Sequence, residues 1–216
     1  MIDRATRLQQ ARLYLVCDVL PDDFLEHALR GGVDIIQLRA KRATDDEVLA
    51  CARRFARIAA AHGALLILND RPDLVAGAGA DGVHIGQDDM PVPEARALVG
   101  DDRLIGLSTH SPEQIDAAAH AGVDYIGVGP VHATPTKPGR PAVGVELVDY
   151  AARHCPMPFF AIGGIDRGNV RAVRAAGGRR IAVVRALTGA TDPEATARAL
   201  RAVLEPEEPE VSVGAT

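Results

Sequence analysis

Tryptophan is absent, and aromatic residues make up only 3% of the 216 positions. A chain so poor in flat rings offers no stacking platform for single-stranded nucleic acid. An excess of positive charge is also missing. The formal net charge is −5, and no long basic run interrupts the chain, which argues against a nucleic-acid surface. Cysteine is scarce: Cys17, Cys51 and Cys155 are widely spaced and odd in number. Such a set reads as free thiols in a reducing compartment, and without C-x-x-C spacing it speaks against a zinc knuckle. No apolar run reaches the length that spans a bilayer, and the opening MIDRATRLQQAR lacks the apolar stretch of a signal peptide. The expectation is a cytoplasmic protein with neither a nucleic-acid nor a membrane partner. Lysine occurs only at Lys41 and Lys137, so any amine chemistry has two candidates.

What is present is a repeating pattern. Short apolar runs end in polar residues or glycine, and longer amphipathic segments follow. The runs are LYLVCD (13–18), DIIQLRAK (34–41), LLILNDR (65–71), DGVHIGQDD (81–89), LIGLST (104–109), YIGVGPV (125–131), FFAIGGI (159–165) and RIAVVRAL (180–187). Helix-like segments such as 45–63 and 111–122 lie between them, opened by Pro, Ser, Thr or Asp and often closed by Gly, as capping requires. Near-continuous apolar runs suit parallel strands covered on both faces. Eight consecutive strand–helix units favour closure into a single-domain (β/α)8 barrel over an open sheet. Residues 1–204 form that unit, and the acidic, Pro-bearing tail at 205–216 reads as a disordered end.

A barrel of this kind carries its chemistry at the C-terminal ends of its strands. Alternation puts Gln37, Arg39 and Lys41 on one face of the second run, an amide and two cations suited to a polyanion. The third run ends in Asn69 and Asp70, and the fourth in Asp88 and Asp89. Carboxylates facing an anion make sense through a hard cation such as Mg2+, although an Asp there could equally cap a helix, and spacing does not choose between Asp88 and Asp89. Ser108 could bind a ligand, but on local evidence it reads as a cap for the following helix. His84 and His132 could act as acid or base or serve as hydrogen-bonded structural groups. Cys17 reads as a buried thiol. Gly163 and Gly164 let backbone N–H groups approach a phosphate, and the turns after strands seven and eight are the usual phosphate site of such barrels. Two anionic sites imply two phosphorylated substrates. No nucleophile–base pair is evident.

In that order and spacing, QLRAK, LNDR, ADGVHIGQDD, GPVHATPTK and AIGGI resemble the thiamine phosphate synthase family, over about residues 13–204. The resemblance implies a transferase of thiamine biosynthesis that uses Mg2+. It joins 4-amino-2-methyl-5-hydroxymethylpyrimidine diphosphate to a thiazole phosphate, or its carboxylate, by dissociative substitution, giving thiamine phosphate and pyrophosphate. Carried over by motif, Gln37, Arg39, Lys41 and Asn69 bind the pyrimidine diphosphate. Asp70 and Asp89 hold the metal. Ser108, Thr134 and Thr136 face the thiazole, and Lys137 contacts the diphosphate. Gly164, Val184 and Arg185 hold the thiazole phosphate. Arg39, Lys41 and Lys137 carry the catalysis by stabilising charge on the leaving pyrophosphate. The proline-rich stretch at 129–141 is expected to close over both substrates and exclude water. Two positions depart from the family pattern: His132, where the family often has an aromatic, and Arg185, where it often has Ser. The rivals are a thiazole tautomerase, a non-catalytic precursor binder, and another phosphate-binding barrel with an acid/base pair or a Schiff-base lysine.

Overall fold

The computed structural model describes residues 3–134 and 141–205. Eight parallel strands close in sequence order into a barrel, the eighth pairing with the first through Leu13–Ile181, Tyr14–Ala182 and Leu15–Val183. The chain runs α1 (Arg4–Gln10), β1 (Leu13–Cys17), α2 (Asp22–Arg30), β2 (Ile35–Leu38), α3 (Asp45–Ala61) and β3 (Leu65–Asn69). A 3-10 turn (Pro72–Leu74) and α4 (Val75–Ala78) lead to β4 (Gly82–Ile85), α5 (Val92–Val99), β5 (Leu104–Thr109), α6 (Pro112–Ala118) and β6 (Tyr125–Val128). Then come α7 (Glu146–His154), β7 (Phe159–Ile162), α8 (Val170–Ala175), β8 (Ile181–Val183), α9 (Arg185–Thr188) and α10 (Pro193–Leu204). The barrel expected from the eight apolar runs is the one observed.

Strand alternation divides the apolar residues into two bodies. Leu13, Leu15, Ile36, Leu66, Val83, Ile105, Ile126 and Val183 point outward to pack with the helices. Tyr14, Val16, Ile35, Leu65, Ile67, Leu104, Tyr125, Phe160 and Ala182 point inward and fill the barrel. A packed interior of this kind carries no pore, so ligand space opens only at one end.

Local chemistry sets the helix boundaries. Thr44 and Glu47 form a reciprocal capping box at the start of α3. Ser111, not Ser108, caps α6 by accepting from the Gln114 N–H. α1 precedes the eight-unit pattern. Asp3 caps it by accepting from the Thr6 N–H, and its Leu8, with Ala11 just beyond, is buried against the inward-facing residues. The helix therefore plugs the barrel floor. Among the described residues no helix is long and apolar enough to cross a membrane. The tail residues 206–216 lie outside the described residues.

Candidate active site

A cavity of about 350 Å3 opens at the C-terminal ends of the strands. Gln37, Arg39, Lys41, Asn69, Asp70, Asp89, Ser108, Thr134, Gly164, Val184 and Arg185 all line it. Every described residue that the family resemblance assigned to the site thus lines one mouth. Thr136 and Lys137, and with them the expected closure of the segment that carries them, lie outside the described residues.

β2 ends at Leu38, so Arg39 follows the strand instead of sitting within it. This corrects the reading that strand alternation places Arg39 and Lys41 beside Gln37. Gln37, by contrast, is a true strand residue and is buried. Arg39 makes no hydrogen bond or ion pair among the described residues. A cation at a cavity wall with no partner among the described residues is suited to an anionic ligand.

Beside it lies a cluster of opposite sign. Lys41 Nζ is 3.4 Å from Asp70 Oδ2. Burial pushes the Asp70 carboxyl above its ordinary value, the facing Asp89 carboxylate pushes it further, and Lys41 opposes both. Asp70 has a backbone φ of 58°, in the left-handed region that Asp tolerates better than most residues. Its N–H is held by the His84 carbonyl at 2.9 Å. Asp89 reaches the same place from the turn after β4, where its Oδ2 accepts from the Gly86 N–H at 2.7 Å. That turn aims Asp89, and not Asp88, at the cavity. Two facing carboxylates repel each other, and a cation between them relieves the repulsion. Mg2+ is commonly held by one or two protein carboxylates plus substrate phosphates, so this pair fits it. Among the described residues no cluster of three His, Cys, Asp or Glu forms a fuller cage.

The far wall is built differently. Gly163 and Gly164 both have positive φ, 106° and 62°. A Cβ at Gly163 would meet Pro130, and one at Gly164 would meet the His132 backbone and Cβ, so only glycine permits this close turn. Val184 and Arg185 bring the turn after β8 alongside. The Arg185 guanidinium has no partner among the described residues. This wall combines bare backbone with a cation, as an oxyanion requires.

Sequence reasoning missed the cavity floor. Tyr14 and Tyr125 are buried inside the barrel with their hydroxyls 3.0 Å apart. Phe160 packs edge-on against both, with ring centroids 5.3 Å and 5.7 Å away. The clue was available, because two of the three tyrosines in the chain occupy inward positions of apolar strands, where a phenol needs a partner. Ser108 is buried in β5, with its Oγ 2.9 Å from His84 Nε2. Its local reading as a helix cap is therefore overturned, since the hydroxyl sits inside the barrel, three residues before the true cap. Cys17 points outward into the helix-facing core, where burial and then Cys51 push its thiol up. His132 does not line the cavity. Its N–H donates to Gly163 O at 2.9 Å, and its buried Nε2 has no partner among the described residues.

The family model described as thiamine monophosphate synthase matches residues 13–187. A thiamine-phosphate synthase of Thermosynechococcus vestitus is 48% identical over 210 residues, which is 95% of this chain and 59% of that relative. The chain thus spans less than two thirds of that relative's length. One from Thermus thermophilus is 50% identical over 198 residues, 88% of this chain and 95% of the relative. Among solved structures, thiamine phosphate pyrophosphorylase from Pyrococcus furiosus is similar with a TM-score of 0.84 at 31% identity, covering 91% of this chain and 96% of that one.

Proposed function

The chain belongs to the thiamine monophosphate synthase family, and on that footing we propose that it condenses the aminopyrimidine diphosphate with the thiazole phosphate to give thiamine phosphate and pyrophosphate. One observation carries the reading. A single cavity joins a carboxylate pair with cations on one wall to a glycine turn with a cation on the other. Two anionic groups are thereby held apart in one space, as two phosphorylated substrates require. The three thiols, all free, accord with a cytoplasmic enzyme.

In the proposed reaction the bond between the pyrimidine methylene carbon and the diphosphate oxygen breaks, and the leaving pyrophosphate keeps the electron pair. The thiazole nitrogen then gives its lone pair to that carbon. No proton has to leave the nitrogen, so this step needs no strong general base. Gln37 and Asn69 orient the pyrimidine. Arg39 and Lys41 stabilise the charge gathering on the leaving group, with Lys137 assigned the same role by the family motif. Asp70 and Asp89 would hold Mg2+, which when bound supplies further positive charge to the diphosphate oxygens. Ser108 and Thr134 face the thiazole, with Thr136 from the same motif. Gly164, the backbone at Val184 and the side chain of Arg185 take its phosphate. The packed aromatic floor of Tyr14, Tyr125 and Phe160 keeps bulk water from reaching the electron-poor methylene from below.

The test mixes the purified chain with both substrates and Mg2+ and follows thiamine phosphate by its oxidised fluorescent product. Product should form, disappear with EDTA, and fall at least about 100-fold in rate in Arg39→Ala, on the order expected when a stabilising contact to developing charge is lost. Folded protein that binds either substrate without turnover would overturn the proposal in favour of a binder or a tautomerase.

A further inference from the structure

A line of side-chain hydrogen bonds crosses the barrel beneath the cavity. Gln37 Nε2 donates to the Tyr14 hydroxyl at 2.7 Å. The Tyr14 and Tyr125 hydroxyls lie 3.0 Å apart. The Tyr125 hydroxyl is 3.3 Å from His84 Nδ1, and His84 Nε2 is 2.9 Å from Ser108 Oγ. The line takes one residue each from β2, β1, β6, β4 and β5. Its two ends, Gln37 and Ser108, sit three strands apart around the mouth and belong to different subsites in the proposed reaction.

Space for the central links is built into the backbone. A Cβ at Gly106 would overlap the Tyr125 ring and press on His84 Nδ1, and one at Gly127 would touch His84 as well. The two phenols are buried, so bulk water does not interrupt the link between them.

Proton counting limits what such a line can do. Each phenol carries one proton, and so does a neutral imidazole. Two arrangements satisfy every link. With the Gln37 amide as it stands, Gln37 donates to Tyr14, Tyr14 to Tyr125, and Tyr125 to His84 Nδ1. His84 Nε2–H then donates to Ser108 Oγ. The Gln37 carbonyl is left to accept from elsewhere and the Ser108 proton is left to be donated. Turning the amide over reverses every proton: Ser108 donates to Nε2, and Gln37 presents its NH2. Any mixed arrangement either leaves a buried phenol proton without an acceptor or sets two protons or two lone pairs against each other at a link, and both are costly.

We propose that Tyr14, Tyr125 and His84 are positioning residues that set the hydrogen-bond polarity of Gln37 and Ser108 together. A ligand edge that fixes the Gln37 amide thereby decides whether Ser108 donates or accepts at the other subsite. An aminopyrimidine, whose amine must be accepted, selects the arrangement in which Ser108 donates. The identity of that ligand rests on the proposed function, whereas the coupling of the two ends does not.

The test reads the tautomer of His84 by 15N NMR of protein labelled at histidine, with the His84 signals assigned by their loss in His84→Asn. The parent should show Nε2–H. Gln37→Glu replaces the terminal donor with a carboxylate that only accepts, so the protonated and unprotonated nitrogen signals should exchange places. Adding Tyr125→Phe to Gln37→Glu should abolish the exchange. An unchanged tautomer in Gln37→Glu, or an exchange that survives without the Tyr125 hydroxyl, overturns the proposal. Should Gln37→Glu fail to fold, Tyr14→Phe removes a single hydroxyl. It should leave His84 in a mixture of tautomers, and one unchanged tautomer there overturns the proposal equally. A parent without synthase activity would sink the functional reading and leave this readout intact.

Discussion

Asp70 concentrates several constraints in one residue. It takes a left-handed backbone conformation, is half-buried, faces Asp89 and touches Lys41. Its carboxyl is raised, first by burial and then by Asp89. A carboxyl whose folded-state pKa exceeds its unfolded value favours the fold while protonated. That stability is fully present below the ordinary value of 3.8 and is lost as pH rises through the raised value. Asp70→Asn keeps the tolerance for the left-handed backbone and removes the charge. Without Mg2+ at neutral pH, its melting temperature should exceed the parent's by about 1–2 °C, from relief of roughly 0.5 kcal/mol of like-charge repulsion. The gap should close as pH falls. Mg2+ should raise the parent's melting point and leave the variant's unchanged. Thermal melts across pH with and without the metal check all three, and equal stabilisation of both proteins by Mg2+ would remove Asp70 from the metal site. Asp70 and Asp89 were both visible in the chain as polar residues closing apolar runs. The family motif also paired them at one metal, but how they converge was not legible, because it depends on the left-handed turn at Asp70 and on the loop that ties Asp89 to Gly86.

Among the elements, α1 is the least expected. MIDRATRLQQAR reads as a polar N-terminal stretch, yet Asp3 caps a helix there and Leu8 closes the barrel floor. Arg4 and Arg7 both pair with Asp81, just before β4, at 2.8 Å and 3.1 Å, so the helix is pinned as well as packed. Leu8→Ala should therefore cost about 2–4 kcal/mol, the range for emptying a well-packed leucine site. At the slope typical of a chain this size, that lowers the melting temperature by roughly 5–15 °C. The Michaelis constants, measured below the transition, should stay the same, because the plug lies at the opposite end from the cavity. The strands were legible because parallel strands are apolar on both faces, but their ends were not. β2 stops at Leu38 and β4 at Ile85, earlier than the apolar runs and their polar ends suggest.

Taken whole, the molecule is acidic, with a net charge of −5, while its cavity presents Arg39, Lys41 and Arg185. The same cavity carries Asp70, Asp89 and Asp166, so with a cation balancing those carboxylates its walls would draw an anionic substrate that the overall charge opposes. Salt screens such attraction, and the Debye length falls from about 10 Å at 0.1 M toward about 3 Å at 1 M. Raising ionic strength over that range should increase the Michaelis constants of the two proposed phosphorylated substrates several-fold, with a smaller change in kcat, where the bound groups are in contact and little screened. Steady-state kinetics over a salt series checks this. Constants indifferent to salt would show that these cations contribute no long-range attraction.

Read by itself, the chain determined the barrel, its eight strands in order, and the polar residues at the strand ends. Those properties follow from local periodicity and from the rule that parallel strands bury both faces. It also carried the family's motifs, each short and each attached to one strand. Only the closed barrel decided which end residues meet. Joining β8 to β1 brings the glycine turn of β7 across from the carboxylates of β3 and β4, and it turns Tyr14, Gln37, His84, Ser108 and Tyr125 from five strands onto one line. Contacts between residues as far apart as Tyr14 and Tyr125 depend on the register and curvature of the whole sheet, and no local pattern encodes either.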